Sequence, residues 1–417
     1  MRHQAATTRL VLPFSFGDLL SCLLVLWFGS YACTYVGDEY GLKPLYSYFV
    51  LIGYAALRFL RVAAVGQLPL AARSHATQAY LFWLAAYLIY GCWSYLRSSQ
   101  SDVAFQALCT LLEAVALGMS FTFVLTSGAR IHQAQTQLAA LAGISTVINV
   151  IDFLHPTFSN VPGRAAGLYE NPNISAFFVS LFMVAGTAAI PRVFRWPYLC
   201  FCGVGVFLTF SRMGWLMWAI SVMGLSWEGL VGHRKFRPLI FAFAAIVGLG
   251  FLYFILVGDF GSFLVNSEIG QYLDRNTLAR LGLSGSVMSG DASDERKGVA
   301  LYALDQFYAH PFVGNGLGYV YEWDYSVGPH NMFLLFMAEG GVVGLALYLW
   351  LLLALWRCAQ GIGRVMVMLV LAGSLFAHNL TEQPAALLVF AFIFAHGAIT
   401  RRDMRRSHQQ VPMGHPA

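Results

Sequence analysis

Apolar runs long enough to cross a bilayer recur along almost the whole chain, separated mostly by short polar turns, and nothing else in the sequence restricts the fold as tightly. A hydrocarbon core of about 30 Å needs roughly 20 apolar residues per helix. The pattern predicts spans at 16–36, 44–63, 78–96, 103–127, 134–154, 173–190, 197–210, 213–229, 238–257, 331–356, 365–378 and 383–400. Composition agrees, since hydrophobic residues are 58% of the 417 and charged ones only 11%, well beyond what a soluble domain needs to fill its core. The expected fold class is an all-α polytopic membrane protein with about 12 transmembrane helices. Arg2 and Arg9 precede no apolar stretch closed by a small-residue cleavage site, so the first helix is expected to act as its own targeting signal.

Positive residues near helix ends are retained on the cytoplasmic side, so the loops orient the chain. Arg401, Arg402, Arg405 and Arg406 mark the end of the chain as cytoplasmic, and an even number of spans places its start there too. That face also collects Arg2, Arg9, Arg58, Arg61, Arg73, Arg130, Arg192, Arg195, Arg234, Lys235, Arg237, Arg357 and Arg364. The outer face keeps Lys43, Arg97, Arg164, Arg212, Arg275, Arg280, Arg296 and Lys297, mostly inside segments rich in Gly, Pro, Asn and Asp. Basic residues that defy the orientation rule call for a reason, and anion binding is one.

Four regions follow: helices 1–9 over 1–256, a large outer loop over 257–329, helices 10–12 over 330–400, and a basic tail over 401–417. The loop far exceeds the usual connection between packed elements. It combines helix-like runs at Glu268–Leu283 and Val299–Tyr308 with a Ser/Gly/Asp-rich break at Ser284–Ser293. It contains no cysteine, so disulfides do not brace it; Cys200 and Cys202 read as apolar packing.

Several residues in these outer segments have the chemistry for anion or proton handling. Arg164 precedes an Asn171-Pro172-Asn173 helix entry, whose free backbone donors favour anions; a side chain snorkelling to headgroup phosphates is the plainer reading. Arg212 lies in a near-loopless turn, Leu208-Thr-Phe-Ser-Arg-Met-Gly-Trp215, where a guanidinium needs either a diphosphate or an internal carboxylate such as Asp152 or Glu113. Arg296 either joins such a site or completes the charged first turn of an amphipathic helix. Arg275 and Arg280 read as a solvated face, and Gly314-x-Gly316-x-Gly318 as a turn leading back to the membrane.

His330 stands where the polar loop meets a long apolar helix. The positive end of a helix dipole disfavours imidazolium and keeps a neutral base available. A capping or interfacial histidine is the plainer alternative. Asn331 is expected to orient the ring or a sugar hydroxyl, and Gly341 and Gly344 to allow close helix packing. His155, His310 and His378 read as structural.

Taken together, His330-Asn331-x9-Gly341-x2-Gly344, the approach Ala309-His-Pro-Phe-Val-Gly-Asn-Gly-Leu-Gly318, Ser211-Arg212-x-Gly214, and Arg164 with Asn171-Pro-Asn173 resemble the O-antigen ligase and polymerase superfamily of bacterial envelopes. The likeness is specific from about 160 to 345. It implies a GT-C-like, multi-helix glycosyltransferase of the inner membrane, taking a glycan from undecaprenyl diphosphate at the periplasmic face without cofactor or metal. It also implies a catalytic role for His330, diphosphate binding by Arg164, Arg212 and Arg296, and support from Asn331, Gly341 and Gly344.

The residues are compatible with that chemistry on their own terms. A diphosphate-linked sugar is already activated, and the sequence has neither a Walker-type loop nor an Asp-x-Asp pair. One direct displacement, with His330 as base and arginines on the leaving group, predicts inversion at the anomeric carbon. Within the superfamily the chain resembles, polymerases tend to carry two sizeable periplasmic loops and protein O-oligosaccharyltransferases an additional C-terminal region, so the resemblance, with one large loop and a short tail, implies a ligase acting on the lipid A core of lipopolysaccharide. The expected partners are therefore the lipid-linked donor, the lipid A core acceptor and membrane lipids, with no nucleic acid. A lipid-linked glycan transporter is the non-enzymatic alternative, but the few ionisable residues deep in the spans, Glu113 and Asp152, are sparse for that role.

Overall fold

The structure is a computed structural model that describes residues 16–64, 74–125, 128–232, 290–323, 325 and 328–409. Every regular element among them is helical. In chain order these are α1 (Phe16–Gly29), α2 (Ala32–Tyr40), α3 (Leu45–Ala64), α4 (His75–Leu96), α5 (Asp102–Leu125), α6 (Gly128–Leu154) and α7 (Pro172–Gly186). They continue as α8 (Arg195–Phe207), α9 (Arg212–Trp227), α10 (Gly290–Ala309), α11 (Met332–Cys358), α12 (Ile362–Gly373) and α13 (Pro384–Gln409). The expected span at 238–257, the first part of the outer loop including Arg275 and Arg280, and the end of the basic tail lie outside the described residues.

This is a multi-pass membrane protein. Among the described residues α4, α5, Ile131–Leu154 of α6, α11 and Pro384–Arg402 of α13 are long and apolar enough to cross a bilayer, and α1 with α2 makes a sixth span if the bent pair is taken as one. α7 and α12 are shorter apolar helices. The run expected at 16–36 is thus broken: α1 and α2 meet at 67°, and Tyr31 between them has a left-handed φ of 67°.

Helix packing is close, as expected where lipid replaces water and contact must come from shape. Gly186 of α7 lies against the Ala139 backbone of α6, so an added Cβ would stand 2.4 Å from the Ala139 Cα. Phe178 and Phe182 of α7 are fully buried beside Tyr169, and Phe390, Phe392 and Phe394 fill the heart of α13. Exposed apolar residues such as Phe82, Ile89, Leu349 and Leu353 form the outward faces of α4 and α11.

The bundle has two unlike ends. One end carries Arg58, whose Nη1 donates to the Val124 carbonyl, Arg195, whose Nη1 donates to the Leu230 carbonyl, and Arg401, which bonds the Arg357 carbonyl. The other end holds the turns that the motifs occupy. All five non-glycine residues with left-handed φ among the described residues lie there: Tyr31, Gln100, Glu170, Phe210 and His330. Such backbone costs about 1–3 kcal/mol per residue and persists only where its surroundings enforce it.

Candidate active site

Three motif segments at that end share one local build. A left-handed residue reverses the chain, the next residue caps a helix, and the helix runs back into the bundle. Before α7, Glu170 has φ 59° and the Asn171 Oδ1 accepts from Asn173 N at 2.9 Å. Before α9, Phe210 has φ 47° and the Ser211 Oγ accepts from Gly214 N at 3.1 Å. Before α11, His330 has φ 46° and the Asn331 Oδ1 accepts from Phe333 N at 2.9 Å and Leu334 N at 3.2 Å. Each cap contributes about 1 kcal/mol and leaves the positive end of a helix dipole facing this end of the molecule. The Asn331 carbonyl oxygen is thus held by the helix it starts.

The starts of α7 and α9 adjoin each other, and the start of α11 is joined to α7 through the end of α12. A Cβ on Gly214 of α9 would meet the Ala176 Cβ of α7 at 2.4 Å, and one on Gly373, the last residue of α12, would meet the Phe177 ring at 2.5 Å. The following residue, Ser374, accepts the Met332 amide of α11 at 2.8 Å. The first turns of α7 thus touch the start of α9 on one side and the end of α12, bonded to the start of α11, on the other.

Arg164 is bonded to the turn that carries Arg212. Arg164 is 3% exposed; its Nε donates to the Thr209 carbonyl at 2.7 Å and its Nη2 to the Asn173 Oδ1 at 3.0 Å. The backbone adds a bond from Ala165 N to the Leu208 carbonyl. Arg212 follows the Ser211 cap and is exposed. Arg164 is therefore a buried brace behind the turn that displays Arg212. Asp152, one of the two carboxylates weighed as a structural partner for Arg212, is engaged by backbone: its Oδ1 accepts from Thr157 N and Phe158 N, and its Oδ2 from Ala166 N and Gly167 N, all within 3.0 Å. Four backbone donors around one carboxylate shape the loop that carries Arg164. Arg296 falls within α10, and its side chain lies outside the described residues.

On the His330 side, α11 is broken at Gly341, whose φ of 58° and ψ of −150° no other residue type adopts readily. The His310–Gly316 turn is docked into the break, backbone against backbone. Asn315 N and Nδ2 donate to the Ala338 carbonyl, Gly316 N to the Glu339 carbonyl, and the Tyr90 hydroxyl to the Gly340 carbonyl. In return Val342 N donates to the Pro311 carbonyl at 2.8 Å and Val343 N to the Phe312 carbonyl at 3.2 Å. Groups that a membrane helix cannot leave bare are thereby satisfied. Gly341 and Gly344 consequently serve the break, not the helix–helix stripe anticipated for them. A Cβ on Gly341 would sit 2.5 Å from the Phe312 carbonyl carbon, and one on Gly344 would sit 2.6 Å from the Phe336 oxygen of the same helix. Gly314, Gly316 and Gly318 all have positive φ, in keeping with the expected turn.

His330 has a neighbour that its sequence context does not suggest. The ring of His378, in the α12–α13 connector, lies 5.2 Å away at 76°. Burial first, and His330 second, lower the His378 pKa to about 4. Tyr321 lies beyond it at 6.5 Å, with its hydroxyl 3.5 Å from the Glu382 Oε2. Burial raises the Glu382 pKa to about 7, and burial with Glu382 and Glu339 raises that of Tyr321. In the sequence His378 reads as structural and Glu382 is not singled out, because they lie some fifty residues beyond His330; an acid and an imidazole between apolar helices are the only signal.

Residues 197–349 match the O-antigen ligase family. This stretch is similar to an O-antigen ligase domain. The matched stretch includes Arg212, α10, the docked turn, His330, Gly341 and Gly344, while Arg164, His378 and Glu382 flank it. The family comprises membrane enzymes of the glycosyltransferase kind, working on lipid-linked glycans in a membrane setting. No curated protein matches the chain.

Proposed function

We propose that this protein is an O-antigen ligase, transferring O-antigen polysaccharide from undecaprenyl diphosphate to the lipid A core oligosaccharide of lipopolysaccharide. In this reading the capped end of the bundle, with the 257–329 loop, faces the periplasm, and both chain ends lie in the cytoplasm. The arginines at the opposite end of the bundle support that orientation.

The observation that carries the proposal is the convergence of three helix starts of one build, two with an arginine and one with His330. A diphosphate is an anion suited to positive helix ends and a planar guanidinium. Arg212 receives it, Arg164 adds charge from behind the turn, and Arg296 is the third residue assigned to the diphosphate. A neutral His330 nitrogen takes the proton of the acceptor hydroxyl as that oxygen attacks the anomeric carbon. The bond from that carbon to the diphosphate oxygen breaks, and the electron pair leaves with the diphosphate. One displacement inverts the anomeric centre.

The test is transfer in vitro by the purified protein, with undecaprenyl diphosphate-linked O-antigen and rough lipopolysaccharide. The wild type is expected to ligate with inversion, and folded His330→Ala to lose about 10²–10⁴-fold in rate. If the wild type instead elongates lipid-linked repeats or glycosylates a protein, the ligase reading is wrong within its superfamily.

A further inference from the structure

The geometry points to His378 as a positioning residue for His330, one that fixes the orientation of the ring and presents it with an uncharged neighbour. This deepens the proposed function and rests on His330 being its base.

Three observations bear on it. The two rings stand edge to face, 5.2 Å between centroids. The chain just ahead of His330 is moulded to His378, since a Cβ on Gly328 would lie 2.7 Å from the His378 Nε2. The connector is also tied to the start of α11 from both sides, by Met332 N to the Ser374 carbonyl at 2.8 Å and Leu380 N to the Met332 Sδ at 3.4 Å. His330 thus reaches the site on strained backbone, with His378 as a wall fixed to the same frame.

His378 is unsuited to act on the substrate itself. Its Nδ1 is buried and has no hydrogen-bond partner among the described residues. A buried imidazole beside a second imidazole stays uncharged, because a proton on it would be poorly solvated and would face any proton taken up by His330. The other titratable groups around it are Tyr321 and Glu382, with Glu339 a layer further out. Both acids bear on the Tyr321 hydroxyl.

The experiment is pH-dependent labelling of the full-length protein with diethyl pyrocarbonate, which modifies neutral imidazole, read residue by residue by peptide mass spectrometry. Exposed His155 is the internal standard for global change. In H378D a carboxylate would face His330, and its labelling midpoint is expected to rise by about one pH unit while that of His155 stays put. In H378Q the midpoint is expected to stay and kcat for transfer to fall about tenfold, as orientation is lost. An unmoved His330 midpoint in H378D, or a wild-type kcat in H378Q, would overturn the inference. If labelling shifts in H378D but the acid limb of the transfer profile does not, it is the base role of His330 that fails. A merely structural His378 lowers activity in both variants at all pH values and moves neither midpoint.

Discussion

Around Arg212 the chain is held by side chains gripping backbone: Asp152 gathers four amides, and Arg164 binds the Thr209 carbonyl. Around His330 backbone grips backbone, with the His310–Gly316 turn exchanging hydrogen bonds with the broken α11. The first construction depends on two buried charged groups that a single substitution can disturb. The second depends on the absence of side chains and on the spacing of the turn. The two halves should therefore fail under different mutations, although both display a capped helix start.

The sharpest way to separate them is Gly341→Ala. A Cβ at a left-handed φ, 2.5 Å from the Phe312 carbonyl carbon, should destabilise the protein by about 4 kcal/mol or more and abolish transfer. Thermal unfolding in detergent measures this, and a Gly341→Ala protein of wild-type stability would remove the docked turn from the account. Asp152→Asn should cost about 3 kcal/mol, since an amide has one acceptor oxygen where the carboxylate has two and its NH2 would face amide donors. Its residual activity should show a raised KM for the lipid-linked donor with the His330 labelling midpoint unchanged; a shifted midpoint would mean that the halves are not separate.

Arg212→Ala, an exposed site, should leave thermal stability within about 0.5 kcal/mol while raising donor KM at least about tenfold, with Arg212→Lys recovering only part. The smallest effects are in pH dependence. Glu382 has its folded pKa raised, so it opposes folding increasingly as pH climbs from the ordinary carboxylate value of 4.5 to about 7. His378 has its folded pKa lowered from 6.5 to about 4, so its stabilising share is lost as pH falls through that window. Relative to wild type, Glu382→Gln should thus melt higher at pH 7.5 than at pH 5, and His378→Gln the reverse. Parallel melting curves for both variants would mean that neither group is buried as described.

Most of the site's local grammar could be read from the sequence. Asn171-Pro172 and Ser211 before an apolar run are recognisable helix starts, and so is Asn331, although its nearness to His330 suggested a different task. Hydropathy placed α4, α5, α6 and α11 well because each is one long unbroken apolar run. It could not show the bend at Ser30–Tyr31 or the break at Gly341, since both keep the apolar pattern while changing a few dihedrals. Nor could it show that Asp152 collects amides from 157 to 167, or that His378 meets His330, because those contacts arise only when separate connectors are brought to one end of the bundle.

The docking at Gly341 also bears on how such a chain can be altered. Phe312, at the centre of the docked turn, is 75% exposed, so its side chain is open to change, while the carbonyl behind it is bound to Val343. Inheritance should therefore conserve the residue count from His310 to Gly316 more strictly than the side chains between, and a single insertion there would disconnect α11 from its splint. For anyone building chimaeras between relatives, the smallest transplantable cassette runs from His310 through Gly344, and a crossover at the loop–helix boundary beside His330 would cut it in two.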